Sequence, residues 1–143
     1  MALKSGACRF NLWWVHVDWS EECIHRVSFA KTGEEGPVPP AIRAYCTGSI
    51  RATPPLKSVA TEENAPYAAV YRAVCRIPYG KTATYGEIAQ ECDTSPRVVG
   101  IAMRRNPTPL VIPCHRVVAK GGLGGFTPDI SIKSALLAME QKE

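Results

Sequence analysis

The sequence is organised around seven residues, Val111-Ile-Pro-Cys-His-Arg-Val117, in which an apolar run stops at a proline and three reactive side chains follow. A thiol, an imidazole and a guanidinium in consecutive positions are unfavourable in a buried strand, because each polar group taken from water needs a partner. Pro113 removes a backbone donor and restricts φ, so we expect a turn that lifts Cys114 out of a sheet. A histidine and an arginine beside a cysteine both favour the thiolate, which is the attacking form. The stretch therefore predicts that Cys114 is a nucleophile.

The composition around this stretch is that of a globular protein with reduced thiols. The 143 residues are 45% hydrophobic, which is enough for one core or for a small lobe beside a larger one. The six cysteines form no CxxC pair, and the chain shows neither an apolar leader nor a long hydrophobic run. This pattern argues against a disulfide framework, a zinc ribbon and a membrane association, and it predicts a cytoplasmic protein. The net charge of +4 is compatible with nucleic acid without requiring it.

The first sixty residues predict a small lobe that contains β-strands. Alternation over residues 10–19 places four apolar side chains on one face, Trp13, Val15, Val17 and Trp19. A polar turn at 20–23, a returning strand at 24–30 and a short helix at 41–46 follow. Cys8, Cys23 and His25, with His16, could form a metal site, but their irregular spacing favours a lobe with incidental thiols, and no metal is expected.

From residue 64 the apolar periodicity becomes helical. Tyr67, Val70, Tyr71 and Val74 form a stripe that is typical of a helix facing a core, and this helix ends at Pro78. Residues 84–92 predict a second helix. Ser95 as N-cap and Pro96 at the first position start a third helix after a tight turn. Two short helices across such a turn are typical of a helix-turn-helix.

The third predicted helix has an apolar face and a basic face. The first consists of Val98, Val99, Ala102 and Met103. The second consists of Arg97, Gly100, Ile101 and Arg104, with Arg105 at its edge. Two or three arginines on a helix are often only a solvated face. Here the reactive cysteine follows within a few residues, and a thiolate next to a phosphate-reading helix indicates chemistry on DNA.

These motifs together resemble one family. Pro113-Cys-His-Arg-Val117, preceded by Asn106-Pro107 and by Arg97-Val-Val-Gly-Ile-Ala-Met103, resembles the O6-alkylguanine-DNA alkyltransferases, also called methylated-DNA–protein-cysteine methyltransferases. The likeness runs from Ile77 to Glu140 and, more loosely, includes Gly36-Pro-Val-Pro-Pro-Ala-Ile42. It implies an α/β protein in two parts. A small amino-terminal, RNase H-like lobe spans residues 1–60, and a mainly helical DNA-binding and alkyl-transfer domain with a helix-turn-helix spans residues 61–143.

The resemblance implies DNA repair by direct damage reversal. The protein would act as a monomer, bind the minor groove of double-stranded DNA and flip an O6-alkylguanine out of the stack. The alkyl group would then pass irreversibly, in a single turnover and without a cofactor, to Cys114. Activity on O4-alkylthymine, the preferred alkyl group and cooperativity on DNA stay open at this point.

The resemblance also assigns roles to residues. Cys114 is the acceptor, His115 deprotonates it through a water, Glu140 orients the imidazole, and Tyr85 donates to the guanine. Glu140 borders the apolar stripe of a last helix capped by Asp129, so we expect it to be half-buried. Arg97 would fill the gap left by the flipped base. The other expected DNA contacts are Thr94, Ser95, Gly100, Ile101, Arg104, Arg105 and Arg116. The expected substrate contacts are Tyr85, Asn106, Pro113, Val117, Phe126 and Thr127.

The sequence departs from the family pattern after Lys120. Phe126 stands where the family often has a tyrosine, and it cannot donate a hydrogen bond. Thr127 keeps the hydroxyl of the usual serine, while Pro128-Asp129 replaces paired glycines. This leaves the range of accepted alkyl groups open. Three other functions compete with the transferase, namely a non-catalytic lesion-binding relative, a helix-turn-helix regulator and a Cys-His hydrolase. Only the transferase would keep one alkyl group per chain.

Overall fold

A computed structural model describes residues 2–21 and 23–142 as a mixed α/β fold, with strands first and helices after them. The main sheet has the order β1-β2-β3-β4, formed by β1 (Lys4–Phe10), β2 (Trp13–Ser20), β3 (Cys23–Ala30) and β4 (Lys57–Ser58). The first three strands are antiparallel neighbours, and β4 pairs with β3 in parallel. A second sheet has two short parallel strands, β5 (Ala83–Thr84) and β6 (Val117–Val118).

The alternating segment of the sequence forms β2 as expected. All four predicted core residues of this strand are buried, Trp13, Val15, Val17 and Trp19. The predicted start at residue 10 is wrong, because Asn11 adopts a φ of 57° and the chain turns there. The returning strand is confirmed and begins at Cys23, whereas the predicted turn at 20–23 includes Glu22, which lies outside the described residues.

The sequence interpretation missed β1, which does not alternate cleanly. Ala7 and Cys8 are both buried although they point to opposite faces of the strand. A loop runs along the free edge of β1 here, where the Gly36 backbone N–H donates to the carbonyl of Ala7 at 3.0 Å. At Gly6, a Cβ atom would stand 1.6 Å from the carbonyl oxygen of Pro37, so only glycine allows this close approach.

The described part of the chain has five α-helices, α1 (Pro40–Cys46), α2 (Ala68–Cys75), α3 (Tyr85–Glu91), α4 (Pro96–Arg104) and α5 (Ile130–Gln141). Three of them have side-chain caps, from Thr84, Ser95 and Asp129. The caps of α4 and α5 confirm the predicted ones. The helix α2 starts later than predicted, because Tyr67 has a left-handed φ of 62° and ends up half-buried. No helix in the described part of the chain is long and apolar enough to cross a membrane.

Two hydrophobic cores meet at the central stretch. One core joins the main sheet to α1 and α5 and includes Leu110 and Val111. The other joins α2, α3 and α4 and includes Ile112 and Val117. The change from one core to the other thus falls between Val111 and Ile112, and the two apolar residues that flank the Pro113–Arg116 stretch, Ile112 and Val117, belong to the same core. A domain boundary after residue 60 stays a prediction, since the first core crosses it.

Candidate active site

Cys114 lies on a 3₁₀ turn, Cys114–Arg116, held between the two cores. The side chain of Asn106, just after α4, positions this turn with two hydrogen bonds. Its Nδ2 donates to the carbonyl of Ile112 at 2.9 Å, and its Oδ1 accepts from the backbone N–H of Thr108 at 3.0 Å. Asn106, which the sequence analysis gives as an expected substrate contact, thus connects the basic helix α4 to the cysteine loop.

A cavity of about 480 Å³ opens above Cys114. Its walls combine Tyr85 from α3, five residues of α4 and the loop that follows β6. The lining residues that the sequence had proposed for the site are Tyr85, Arg97, Gly100, Arg104, Cys114, Phe126 and Thr127. The structure thus brings residues from four separate segments of the sequence to one cavity, and the thiol lies on its floor with 7% of Cys114 exposed.

The basic face of α4 is also confirmed. Arg97, Arg104 and Arg105 are exposed, whereas Val99 and Ala102 on the opposite face are buried. The expected DNA contacts Thr94 and Ser95 lie at the start of this helix, and Ile101 lies within it. The face therefore stands beside the cavity mouth with its charges in solvent.

Burial raises the pKa of the Cys114 thiol to about 11, while a hydrogen bond with Asn106 and the charge of Lys133 act in the opposite direction. The expectation that His115 and Arg116 favour the thiolate as sequence neighbours is wrong in its physical detail. Their side chains leave the cavity and bind Glu140 in the interior, so neither of them contributes to lowering the pKa of the thiol. The resting cysteine is a neutral thiol.

Glu140 is the centre of a fully buried polar network. Arg116 binds its carboxylate with two parallel hydrogen bonds, Nε to Oε1 at 2.8 Å and Nη2 to Oε2 at 2.9 Å. His115 Nε2 lies 2.7 Å from Oε2, the hydroxyl of Tyr45 donates to the same oxygen, and the Gly80 N–H donates to Oε1 at 3.2 Å. Glu140 was expected to be half-buried and is only 2% exposed. Such burial is tolerated because every lone pair finds a charged or polar donor.

The network determines which nitrogen of His115 carries the proton. Burial alone would raise the pKa of Glu140, but the hydrogen bonds from His115 and Arg116 lower it well below its ordinary value, so this group is a carboxylate that can only accept. Nε2 of His115 must therefore donate. Burial lowers the pKa of the imidazole, with Glu140 opposing that shift, so the ring is neutral near pH 7. Its Nδ1 keeps a lone pair and has no hydrogen-bond partner among the described residues.

Three predicted contact residues are buried and do not line the cavity. Arg116, expected to contact DNA, is fully buried, and besides Glu140 it binds Thr53 Oγ1 at 2.6 Å and the carbonyl of Ile77 at 2.9 Å. This expectation is corrected, because a guanidinium enclosed on all sides cannot meet a phosphate. Pro113 and Val117 are buried as well and do not line the cavity, so no substrate contact of their side chains is seen.

Lys133 is a site residue that the sequence interpretation missed. It lies in α5 with no exposed surface, and its Nζ donates to the carbonyls of Val117 at 2.6 Å and Gly125 at 3.2 Å. Burial lowers its pKa to about 8, and the charge of Cys114 opposes this shift. Its position could have been noticed, because Lys133 shares helical spacing with Leu136, Leu137 and Glu140, and a lysine within a buried stripe needs polar partners. Tyr45 is the other residue of the site that was missed, and no pattern in the sequence around it indicates its contact with Glu140.

We expect Lys133→Met to raise the pKa of the Cys114 thiol by about one unit, since a nearby cation favours the thiolate. Alkylation of Cys114 by iodoacetamide at pH 8, mapped by peptide mass spectrometry, should then be about tenfold slower than in the unaltered protein. Lys120→Met, which removes an exposed lysine, is the matched control and should leave the rate unchanged. Equal rates for the two variants would mean that Lys133 does not affect the pKa of the Cys114 thiol.

The proposed metal ligands of the amino-terminal lobe do not come together. Among residues 2–21 and 23–142, no group of three histidines, cysteines or acidic residues is close enough to hold a metal ion. The two histidines have other partners, since His25 Nε2 lies 2.7 Å from Ser20 Oγ and His16 Nε2 lies 2.9 Å from the carbonyl oxygen of Thr32.

The second half of the chain is similar to known DNA methyltransferases that act on 6-O-methylguanine or methylated DNA, as their names state. Residues 65–142 match the family model described as 6-O-methylguanine DNA methyltransferase, DNA binding domain. Two relatives are named methylated-DNA–protein-cysteine methyltransferase. The one from Saccharolobus islandicus (strain M.16.27) is 51% identical over 71 residues, covering 50% of this chain and 47% of the relative. The one from Methanocaldococcus vulcanius is 54% identical over 68 residues, covering 48% and 42%. The chain thus spans about half the length of these curated relatives.

Solved structures extend the likeness of the fold to nearly the whole chain. The O6-methylguanine-DNA methyltransferase of Pyrococcus kodakaraensis strain KOD1 has a TM-score of 0.72 at 26% identity, covering 99% of this chain and all of that one. The O6-methylguanine methyltransferase of Mycobacterium tuberculosis has a TM-score of 0.79 at 24% identity, covering 98% and 93%, and it supports the fold alone. With more than half of its residues in the matched segment, the chain belongs to the 6-O-methylguanine DNA methyltransferase family.

Proposed function

We propose that this protein repairs DNA by taking the alkyl group of an O6-alkylguanine onto Cys114, irreversibly and once per molecule. The observation that carries the proposal is the thiol on the floor of a cavity whose wall is the exposed basic helix α4. The names of the relatives support the same reaction, since they describe methyl transfer from DNA to a protein cysteine. A non-catalytic lesion-binding function is not favoured, because the acceptor cysteine is present and accessible from the cavity.

The chemistry follows from the protonation states. The Nδ1 lone pair of His115 removes the thiol proton through a water, and Glu140 stabilises the imidazolium that forms. The thiolate attacks the saturated carbon, so that the S–C bond forms while the bond from carbon to O6 breaks. The electron pair of that bond stays on the guanine, where the Tyr85 hydroxyl donates a proton as the charge develops. A thiol with a raised pKa gives a more nucleophilic thiolate once it has been deprotonated.

The DNA-binding mode is also part of the proposal. We infer that α3 and α4 act as a helix-turn-helix, that α4 lies in the minor groove of double-stranded DNA, and that the protein works as a monomer inside the cell. Thr94 and Ser95 at the start of α4 and the arginines along it would contact phosphates, which position the protein without reading sequence. We also propose that residues 1–60 form an RNase H-like lobe, as the resemblance of the sequence implies.

The intact mass of the protein tests the reaction directly. After incubation with a duplex that carries one O6-methylguanine, we expect the mass to rise by one methylene unit, to stop at one equivalent, and to map to Cys114. An unchanged mass together with retained binding to the lesion would move the protein to the lesion-binding class. Repeated turnover without a modified protein would indicate a hydrolase instead.

Arg97→Ala tests base flipping. A flat cation can fill the gap left by an extruded base, and extrusion from the stack costs a few kcal/mol. We therefore expect transfer from duplex DNA to slow by about tenfold or more, whereas transfer from the free base O6-benzylguanine should be unaffected because no base has to leave a stack. Single-turnover rates measure both. Arg9→Ala, an exposed arginine on β1, is the matched control, and an equal loss on free base and duplex would contradict the role.

A further inference from the structure

A second, smaller cavity lies beside Cys114 on the side of the amino-terminal sheet. Its volume is about 240 Å³, and it lies between one edge of β3 and the loops that carry Pro109 and Pro128. Cys114 and Phe126 line both cavities, so the sulfur stands where the two spaces meet. The Phe126 ring packs edge-on against Phe29 of β3, with the ring centroids 5.8 Å apart, so the amino-terminal lobe builds one wall of this space.

The second cavity is larger than a methyl group requires. A single water, which is similar in size to a methyl group, needs a space of only ~15 Å³. During attack the transferred carbon must touch the sulfur, and any remaining atoms of the alkyl group have to extend away from the guanine. With the guanine in the larger cavity, the smaller cavity is the available space for those atoms.

The charged residues that line the smaller cavity are all positively charged. Its lining includes two cations, Arg26 of β3 and Arg104 of α4, and no carboxylate. The hydroxyl-bearing residues Ser28 and Thr127 belong to the lining as well. The nearest acidic neighbour of Arg26 across the sheet is Asp18, which accepts a hydrogen bond from Ser5 at 2.7 Å, and no salt bridge engages Arg26 within the described residues.

We infer that this cavity receives the distal end of the transferred alkyl group and, through Arg26 and Arg104, favours groups that end in a carboxylate, such as carboxymethyl. The inference rests on the proposed alkyl transfer. In the reaction, the Cys114 thiolate forms an S–C bond to the methylene carbon while its bond to O6 breaks. The electron pair stays on the guanine, which takes up a proton, and the carboxylate is unchanged. The two guanidiniums offset the repulsion between the incoming carboxylate and the thiolate, and they can hydrogen-bond to the carboxylate.

The test compares two substrates of nearly the same shape, duplexes that carry O6-carboxymethylguanine or its neutral amide, O6-carbamoylmethylguanine. Single-turnover rates give the ratio of anionic to neutral transfer, in which any general loss of DNA affinity cancels. We expect Arg26→Ala to lower this ratio by about tenfold, Arg26→Glu to lower it further, and Arg26→Lys to retain most of it. Arg9→Ala, on the same sheet but outside the cavity, should leave the ratio unchanged.

The outcomes separate this inference from the function on which it rests. If Arg26→Ala and Arg26→Glu both transfer methyl groups normally and keep the ratio of the unaltered protein, the cavity does not select for charge and the inference is overturned. If the unaltered protein transfers no alkyl group from O6-methylguanine at all, the proposed function itself fails. Because Arg26 is exposed, these variants should fold, and matching thermal unfolding curves would verify it.

Discussion

Cys114→Ala is expected to abolish alkyl transfer to the protein while leaving the affinity for DNA nearly unchanged. The side chain contributes the only sulfur on the lining of the large cavity apart from the unreactive thioether of Met103. Its removal deletes the bond-forming atom, whereas the exposed arginines of α4 stay in place to bind phosphates. Intact mass after incubation with O6-methylguanine DNA measures transfer, and fluorescence anisotropy with the same duplex measures binding.

Cys75→Ala is the matched control for this variant. Cys75 is an exposed thiol at the end of α2 that donates a weak hydrogen bond to the carbonyl of Val111. It does not line the large cavity, so we do not expect it to accept the alkyl group. We expect this control to be methylated to one equivalent like the unaltered protein. Methylation of the Cys114→Ala protein at another cysteine, or loss of transfer in both variants, would show that Cys114 is not the acceptor.

Glu140→Gln is expected to lower the free energy of unfolding by about 3–5 kcal/mol, because removal of the charge leaves the buried guanidinium of Arg116 without a counter-ion. Urea unfolding followed by circular dichroism measures this change. The exposed pair of Arg76 and Glu91 offers the control Glu91→Gln, which should cost less than about 1 kcal/mol. A small effect in both variants would mean that the buried network contributes little to the fold.

The same network predicts how stability depends on pH. Folding lowers the pKa values of both Glu140 and His115, so at acidic pH the unfolded chain binds more protons than the folded one. Stability should therefore be lost in two steps, first as the pH falls below the ordinary 6.5 of histidine and then below the ordinary 4.5 of glutamate. Urea midpoints measured between pH 2 and pH 8 should decrease toward low pH, and Glu140→Gln should remove most of the second step.

The sequence predicts those parts of the fold that depend on neighbours along the chain. The alternation of Trp13, Val15 and Val17 places β2 correctly, because a strand with one buried face repeats every two residues. The caps Ser95 and Asp129 place the starts of α4 and α5, because the free N–H groups of a first turn need a local acceptor. The cavity residues of α4 follow from the same helical geometry.

The parts that the sequence does not predict depend on contacts between distant segments. The position of Arg116 along the chain does not indicate the direction of its side chain, so Arg116 was assigned to DNA although it faces the interior. The spacing of Lys133 marks it as a buried helix position, but the contacts of Lys133 and Tyr45 form only when α5 and α1 pack against the 3₁₀ turn. The second cavity is likewise formed by an edge of β3 and two loops that are remote from it in the sequence.

The network around Glu140 also determines when, during synthesis of the chain, the active site can form. The carboxylate joins Tyr45 of α1, Gly80, the turn with His115 and Arg116, and its own helix α5. Because α5 is the last of these segments to leave the ribosome, a growing chain exposes Cys114 before the residue that sets the tautomer of His115 has arrived. In the proposed mechanism, the aligned His115 base therefore forms only once α5 has packed. A nascent chain lacks this base, so alkyl transfer by the proposed route has to wait for the completed fold.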